Sequence, residues 1–99
     1  MANPRYTAGR AFEYKTKAHW EGLGYTVIRS AGSHGPFDLV AIPIKSHLKV
    51  VGIQCKRVQT LAEANRLTAQ WPTFPSTAPI IQCLTIYVVS TRETINKYA

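Results

Sequence analysis

A carboxylate, an amide and an ammonium group occur within one stretch of the sequence, on two apolar runs that a short polar break separates. Asp38, the only aspartate of the protein, precedes the first run. Gln54 and Lys56 lie in the second run, on either side of Cys55. Both runs are rich in β-branched residues, which favour strands. The sequence therefore predicts two neighbouring strands that carry the three polar groups.

A hairpin with Ile44 opposite Leu48 at its mouth sets the register of these two strands. Asp38 then lies directly opposite Gln54, and because side chains alternate along a strand, Lys56 shares their face. Oxygen ligands beside a cation suit Mg²⁺ or Mn²⁺ and a phosphodiester. The pattern favours metal-assisted phosphoryl chemistry on that face of the hairpin.

The same residues resemble the active-site motif of the PD-(D/E)XK nuclease superfamily. The resemblance consists of Asp38, the run Gln54-Cys55-Lys56, and an upstream helix that carries Gly9-Arg10-Ala11-Phe12-Glu13. Within the superfamily, the run from Gly24 to Ser33 closely resembles the archaeal-type Holliday-junction resolvases. The resemblance covers about residues 5 to 57, roughly half of the chain.

The sequence departs from the family pattern at two positions. Phe37 stands where the motif has proline, and Gln54 stands where it has a second acidic ligand. A Gln-x-Lys version resembles the modified-DNA restriction endonucleases, so the substitution does not by itself imply an inactive site. One negative charge fewer predicts weaker metal binding and one ion rather than two.

The resemblance implies an Mg²⁺-dependent endodeoxyribonuclease, with Mn²⁺ as a substitute, that leaves 5′-phosphate and 3′-hydroxyl ends. The metal ligands that it implies are Asp38, the Gln54 side chain, the Cys55 backbone carbonyl, and Glu13 directly or through water. Lys56 would orient or help deprotonate the attacking water. The catalytic set is therefore Glu13, Asp38, Gln54 and Lys56.

Positions that contact DNA are expected around this set. Arg29, Ser30 and Ser33 resemble the phosphate-contacting positions of the family, and Arg10 and Arg57 are further candidates. The loop of residues 31–36 is rich in small residues, whose backbone N–H groups can approach a phosphate closely.

Other interpretations remain open on the sequence alone. Glu13 is also consistent with a solvated helix residue paired with Arg10 or Lys17, and Gln54 and Lys56 with an ordinary polar strand face. Two functional alternatives are a restriction- or repair-type nuclease on duplex or flapped DNA, and a catalytically silent DNA-binding or assembly subunit.

Composition agrees with a nucleic-acid partner. The 99 residues predict one nuclease domain (1–99), and a net charge of +7 indicates a polyanionic ligand. The sequence shows no signal peptide and no apolar run of membrane-spanning length, so we expect an intracellular protein of the cytoplasm or nucleoid, of prokaryotic or viral source. Both cysteines lie in apolar runs and are expected as free, buried thiols.

Most of the acidic residues have an expected structural role. Glu63 and Glu93 each follow a hydroxyl residue by three positions, the spacing of a helix N-terminal capping box. Glu21 lies near the end of the first predicted helix. Glu13 and Asp38 are the two acids without such a role, and they are the two that the motif requires.

Periodicity predicts an α/β domain of the restriction-endonuclease-like class, with a central mixed sheet flanked by helices. Pro43 lacks an N–H group, so its nitrogen should face an edge or a bulge. The expected elements are a helix from Asn3-Pro4 or Thr7 to Gly22 or Gly24, a strand Tyr25 to Ser30, the hairpin Asp38 to Arg57, a helix Thr60 to about Trp71, a strand Ile80 to Ser90, and a closing helix Thr91 to Tyr98.

A symmetric homodimer is expected, because resolving a four-way junction needs paired cuts and a chain of this size has one candidate site. We therefore expect branched DNA, most specifically a four-way junction, as the substrate. The candidate interfaces in the sequence are the strand Ile80–Val89 and the aromatic residues Trp71 and Phe74.

Overall fold

The computed structural model describes residues 4–30, 37–45, 49–72 and 80–99. Its elements follow the sequence order helix, three strands, helix, two strands. They are α1 (Pro4–Gly22), β1 (Tyr25–Arg29), β2 (Leu39–Pro43), β3 (Val51–Val58), α2 (Leu61–Ala69), β4 (Ile81–Val88) and β5 (Glu93–Tyr98).

The five strands form one mixed sheet in the order β1-β2-β3-β4-β5. The pairs β1–β2, β2–β3 and β4–β5 are antiparallel, whereas β3 and β4 run parallel. A parallel pair needs a crossover connection, and α2 lies within it. The predicted α/β class with a central mixed sheet and flanking helices is confirmed.

The predicted hairpin register is correct. Leu39 pairs with Ile53 and Ala41 with Val51, the register that sets position 38 opposite position 54. The turn residues 46–48, and with them the expected Ile44–Leu48 pair, lie outside the described residues. The register is set by the side that each residue buries, since a slip of one residue would turn the buried Leu39 and Ile53 outward.

Pro43 lies where its missing N–H group costs no ladder bond. The neighbouring Ile44 N donates to Gly24 O on the β1 side. Because successive backbone groups alternate in direction, the Pro43 nitrogen faces the β3 side, beyond the last β2–β3 pair at Ala41 and Val51. This position fits the expectation that Pro43 faces an interruption of the ladder.

Each face of the sheet has its own core. On the α1 side, Trp20 packs on a cluster that includes the fully buried Leu39 and Ile53. On the α2 side, Ala64 and Trp71 pack against Leu84, Ile86 and Val88. Fully burying one such aliphatic side chain contributes about 1.5–3 kcal/mol, so these two layers hold α1 and α2 on opposite faces.

The N-cap half of the predicted capping box of α2 is confirmed, whereas the Glu63 carboxylate accepts from the Thr60 hydroxyl. Thr60 is the N-cap, and its side chain accepts a hydrogen bond from Glu63 N at 3.3 Å. The helix then ends at Ala69, with Gln70 as C-cap, close to the predicted end at Trp71. Neither helix in the described part of the chain is long and apolar enough to span a bilayer.

The predicted closing helix is wrong, because residues 93–98 form the edge strand β5. Arg92, with φ of 58°, reverses the chain, and its N donates to Val88 O at 2.8 Å. Glu93 then pairs with Val88 as the first residue of β5, so its assignment to a capping box is also wrong. The segment contains one partly buried apolar residue, Ile95, which packs on the α2-side cluster and fixes the strand.

Candidate active site

The candidate site is a cleft of about 220 Å³ where α1 crosses the end of the β2–β3 pair. Its lining includes residues from three elements or their ends: Arg10 and Glu13 of α1, Asp38 before β2, and Cys55, Lys56 and Arg57 of β3. We call it the α1 cleft. It contains three of the four predicted catalytic residues, Glu13, Asp38 and Lys56, which lie far apart in the sequence.

Asp38 is held by its backbone and by its side chain. Asp38 N donates to Ile53 O at 2.8 Å, and Asp38 O accepts from Ser30 N at 2.8 Å. The carboxylate Oδ2 accepts from Cys55 N, also at 2.8 Å. Since a strand N–H lies in the plane of its sheet, the carboxylate is held in the gap between β2 and β3.

The same bond places the Cys55 backbone at the site. The N–H and C=O groups of one strand residue point to the same side of the strand, so the Cys55 carbonyl also leaves β3 towards Asp38. This direction is the one that the predicted metal-ligand role of that carbonyl requires.

Glu13 pairs with an arginine from β1. Arg29 Nη2 lies 3.3 Å from Glu13 Oε2, with side chains 22% and 19% exposed. The Arg29 guanidinium also lies over the Tyr14 ring, 5.4 Å from its centroid. Lys17 instead pairs with Glu21 at 2.9 Å. The half-buried pair positions the Glu13 carboxylate towards the sheet.

Gln54 does not line the α1 cleft. It lines a separate cleft of about 200 Å³ on the other face of β3, with Leu67, Gln70, Trp71 and Leu84. We call this the α2 cleft. The expected pair of Asp38 with Gln54 is not formed: the β2–β3 pairs begin at Leu39, and Asp38 N donates to Ile53 O. The Asp38 carboxylate accepts from Cys55 N in the strand gap, so it does not converge with the Gln54 side chain as predicted. Lys56 lines both clefts.

The Cys55 thiol lies among the acidic groups of the α1 cleft and stays protonated at neutral pH. Burial raises its pKa to about 12, and the nearby Asp38 and Glu13 carboxylates act in the same direction. A hydrogen bond with the Thr16 side chain acts in the opposite direction. Cys55 and Cys83 are both free thiols, as expected; Cys83 is buried, whereas Cys55 is half-buried.

Sequence reasoning missed Thr16, whose hydroxyl also donates to Phe12 O at 2.9 Å. Thr16 is 6% exposed and lies three residues after Glu13, on the same side of α1. That helical spacing from a suspected ligand is the pattern that would have found it.

The oxygen donors of the α1 cleft fit Mg²⁺. This ion is commonly held by one or two carboxylates and keeps several water molecules, and Glu13, Asp38 and the Cys55 carbonyl offer such a set. Among the described residues, no group of three or more His, Cys, Asp or Glu side chains is placed to hold a metal ion. The protein would therefore offer such an ion only a few ligands, and all of them are hard oxygen atoms.

The predicted DNA-binding residues have different positions. Arg10 and Arg57 are exposed and line the α1 cleft. Ser30 is half-buried next to Asp38, and Arg29 contacts Glu13 and Tyr14 as described above. Ser33, with the loop of residues 31–36, lies outside the described residues. Four of the five candidates thus surround the site, at the end of the sheet where β2 and β3 separate.

Comparison of the sequence with models of known protein families gives no match, and comparison with curated proteins gives no significant match.

Proposed function

We propose that the protein is an Mg²⁺-dependent endonuclease that hydrolyses phosphodiesters in branched DNA, and that its specific activity is Holliday-junction resolution. The observation that carries the proposal is the presence of Glu13, Asp38 and Lys56 in one cleft, although they lie far apart in the sequence. A net charge of +7 supports a polyanionic substrate.

Each residue has a role that its position supports. A bound Mg²⁺ would neutralise charge on the scissile phosphate and make the attacking water more acidic. Glu13 and Asp38 would hold the ion, with the Asp38 carboxylate kept in place by Cys55 N. Lys56, exposed at the cleft, would orient the water and stabilise developing negative charge.

The cations around the cleft would hold the DNA backbone. Arg10 and Arg57 lie at its rim, and contacts of this kind bind phosphates without reading the sequence. Binding should therefore weaken steeply as salt is added, because each phosphate contact releases counterions.

A cleavage panel tests the proposed activity. Purified protein is incubated with a four-way junction, a flap, a linear duplex and a single strand, with Mg²⁺ or with EDTA. We expect Mg²⁺-dependent, symmetric nicking of the junction that Asp38→Ala abolishes while junction binding persists. Cutting of all four substrates alike would leave a general nuclease, and binding without any cutting would favour the catalytically silent subunit.

The homodimer needs an interface other than the ones suggested by sequence. The strand at Ile80–Val89 is wrong as an interface, because β4 is paired on both sides and buried on both faces. Trp71 is 6% exposed and packs within its own chain, so it is also wrong. Phe74 lies outside the described residues.

The outer edge of β5 is the candidate contact that we favour instead. Gln82 and Ala99 exchange both backbone hydrogen bonds, so the odd-numbered residues of β5 bond to β4. The backbone groups of the even-numbered residues Thr94, Asn96 and Tyr98 therefore face outward. Within the described residues no strand pairs with this edge, and an open edge is a natural template for another strand.

An antiparallel pair of β5 strands centred on Ile95 is complementary in charge. It sets Thr94 opposite Asn96 of the second copy as hydrogen-bonded pairs, and Glu93 opposite Lys97 on both sides of the centre. Both copies of α1 then lie on the same face of a continuous sheet, so two α1 clefts would face one DNA molecule.

Sedimentation equilibrium and cross-linking test this interface. We expect about twice the 11.0 kDa chain mass, loss of the dimer in Lys97→Glu, and its recovery in the double variant Glu93→Lys/Lys97→Glu. Ile95→Cys should form an intermolecular disulfide under mild oxidation. A dimer that Lys97→Glu leaves intact would place the interface elsewhere, and a monomeric wild-type protein would remove the dimer.

A further inference from the structure

Two further clefts continue from the α1 cleft along the same helix. The middle one, of about 370 Å³, shares Phe12 and Arg57 with the α1 cleft. The far one, of about 290 Å³, shares Phe12 and Lys15 with the middle one. Because each neighbouring pair has lining residues in common, the three clefts lie side by side along α1. We call the middle and far clefts together the β4–β5 groove.

The groove exists because α1 does not cover the whole sheet. The helix packs mainly on β1, β2 and β3. The residues of β4 and β5 on this face, among them Tyr87, Thr94 and Tyr98, are left to form the floor and far wall of the groove. Within the described residues, no other helix lies over this part of the sheet.

The lining of the groove combines cations with aromatic rings. The cations Lys15 and Arg57 and the imidazole ring of His19 are exposed along it. Tyr98 is 56% exposed at its far end, and the Tyr87 ring packs beside Phe12 with centroids 5.9 Å apart. No acidic residue lines either cleft among the described residues.

We propose that the β4–β5 groove binds an unpaired DNA strand and leads it to the scissile phosphate in the α1 cleft. Backbone-tracking cations with aromatic faces between them are what single-stranded nucleic acid requires, since each base has a face to stack and each phosphate a charge to neutralise. The inference rests on the proposed function, to which it adds the part of the branched substrate that the groove holds: nucleotides that are unpaired at the branch point.

The chemistry of the groove favours an unpaired strand over a duplex. A paired base has its faces covered by its neighbours in the stack, so Tyr98 would meet a base only where the strand is unpaired. Each cleft is of the size of a small-molecule site, with room for about one nucleotide. Duplex phosphates could contact Lys15 and Arg57 but would leave the aromatic lining without a partner.

The test measures binding without cleavage. A short, fluorescein-labelled oligothymidylate is titrated in EDTA and followed by fluorescence anisotropy. Tyr98→Ala should weaken binding about tenfold, because base–aromatic stacking is lost, whereas Tyr98→Phe keeps the ring and the affinity. Lys15→Gln should lower the slope of log Kd against log salt by about 0.7, the value for one phosphate contact on a single strand.

A matched control separates the groove from general electrostatics. Lys49→Gln removes the same charge at an exposed position before β3, away from the groove, and should leave the slope unchanged. Thermal unfolding of every variant confirms that it is folded. Because Lys15 and Tyr98 are both exposed, one readout remains if the other variant fails to fold.

The outcomes distinguish this inference from the proposed function. If neither Tyr98→Ala nor Lys15→Gln alters oligothymidylate binding more than Lys49→Gln does, the groove is not a strand-binding site, whatever the protein cleaves. An equal loss of affinity for a hairpin duplex would also overturn it. Strand binding that depends on the groove, without cleavage of any branched substrate, would instead refute the proposed endonuclease activity. The proposal that the groove binds an unpaired strand would then stand.

Discussion

The two sides of β3 differ in what they do with polar side chains. On the α1 side, Glu13 and Asp38 meet in a cleft next to exposed cations. On the α2 side, Gln54 lies in a cleft with Trp71 and Leu84, which belong to a buried apolar cluster. Strand alternation thus separates Gln54 from Glu13 and Asp38, whereas Lys56, which follows Gln54 by two residues on β3, lines both clefts.

The difference has a simple structural cause. Along β3, Ile53 and Cys55 face α1, and Gln54 therefore faces α2. Asp38 escapes this alternation because it precedes β2 and its carboxylate bonds to Cys55 N in the strand gap. The α1 side is thus the candidate for chemistry, and the α2 side is chiefly packing.

The largest expected contrast is in catalysis. Asp38→Ala should lower the cleavage rate by about a thousandfold, as expected when a group that stabilises the developing charge is lost. Gln54→Ala should stay within about threefold of wild type, because its side chain lines the other cleft. Single-turnover cleavage of a labelled junction measures both, with Asp38→Asn as a variant that can still accept the Cys55 N–H bond.

Equal losses of cleavage rate in Asp38→Ala and Gln54→Ala would contradict the assignment of catalysis to the α1 side of β3. They would show that the two faces of β3 work as one site and that Gln54 reaches the metal when DNA is bound.

The free energy of unfolding, unlike the cleavage rate, should depend on side chains of the α2 side. Leu84→Ala removes a buried side chain from the α2-side cluster and should lower the free energy of unfolding by about 3 kcal/mol. Urea denaturation measures the loss. Leu61→Ala, at a position 43% exposed on α2, is the matched control and should change stability by less than about 1 kcal/mol. Comparable losses at both positions would argue against the α2-side core.

Much of the fold was predictable, because hydrophobic periodicity and turn residues act locally. The hairpin register followed from the short polar break between the two apolar runs, and it agrees with the Leu39–Ile53 pair. The α2 cap followed from the spacing of Thr60 and Glu63. The strand at residues 93–98 was not predictable in this way. It is held by its pairing with β4, a contact distant from its own weak pattern.

The site was predictable in part for the same reason. Register placed Asp38 opposite Gln54, but the direction of a carboxylate at a strand end depends on the bond that it finds, here Cys55 N. The Glu13–Arg29 pair joins α1 to β1 and depends on how the helix packs. Neither contact can be predicted from the spacing of residues in the sequence.

On the α1 side, metal affinity should depend on Glu13. Glu13→Gln should weaken Mn²⁺ binding about tenfold or more, since it replaces a charged ligand with a neutral one. Glu21→Gln is the matched control, because Glu21 is also in α1 and also pairs with a cation, Lys17. Electron paramagnetic resonance of free Mn²⁺ gives both constants. Equal Mn²⁺ affinities of the Glu13→Gln and Glu21→Gln variants would mean that Glu13 pairs with Arg29 and binds no metal.

The smallest expected effect is an electrostatic one at Cys55. With a pKa of about 12, roughly one Cys55 thiol in a thousand is ionised at pH 9, so alkylation by iodoacetamide should be slow. Burial is the main cause of this shift, and the Asp38 and Glu13 carboxylates add to it. A divalent cation between these carboxylates would cancel only their part.

Adding Mg²⁺ at pH 9 should therefore speed Cys55 alkylation modestly, by about threefold. The cation opposes the negative charge that disfavours the thiolate, while the burial remains. Mass spectrometry of the peptide that contains Cys55 gives the rate, and Cys83, which is fully buried, serves as the internal reference. Glu13→Gln should reduce the Mg²⁺ effect, whereas Gln54→Ala should keep it, because Gln54 lies on the other side of β3. A rate that Mg²⁺ leaves unchanged in the wild-type protein would place the ion away from Cys55 and remove the metal from the α1 cleft.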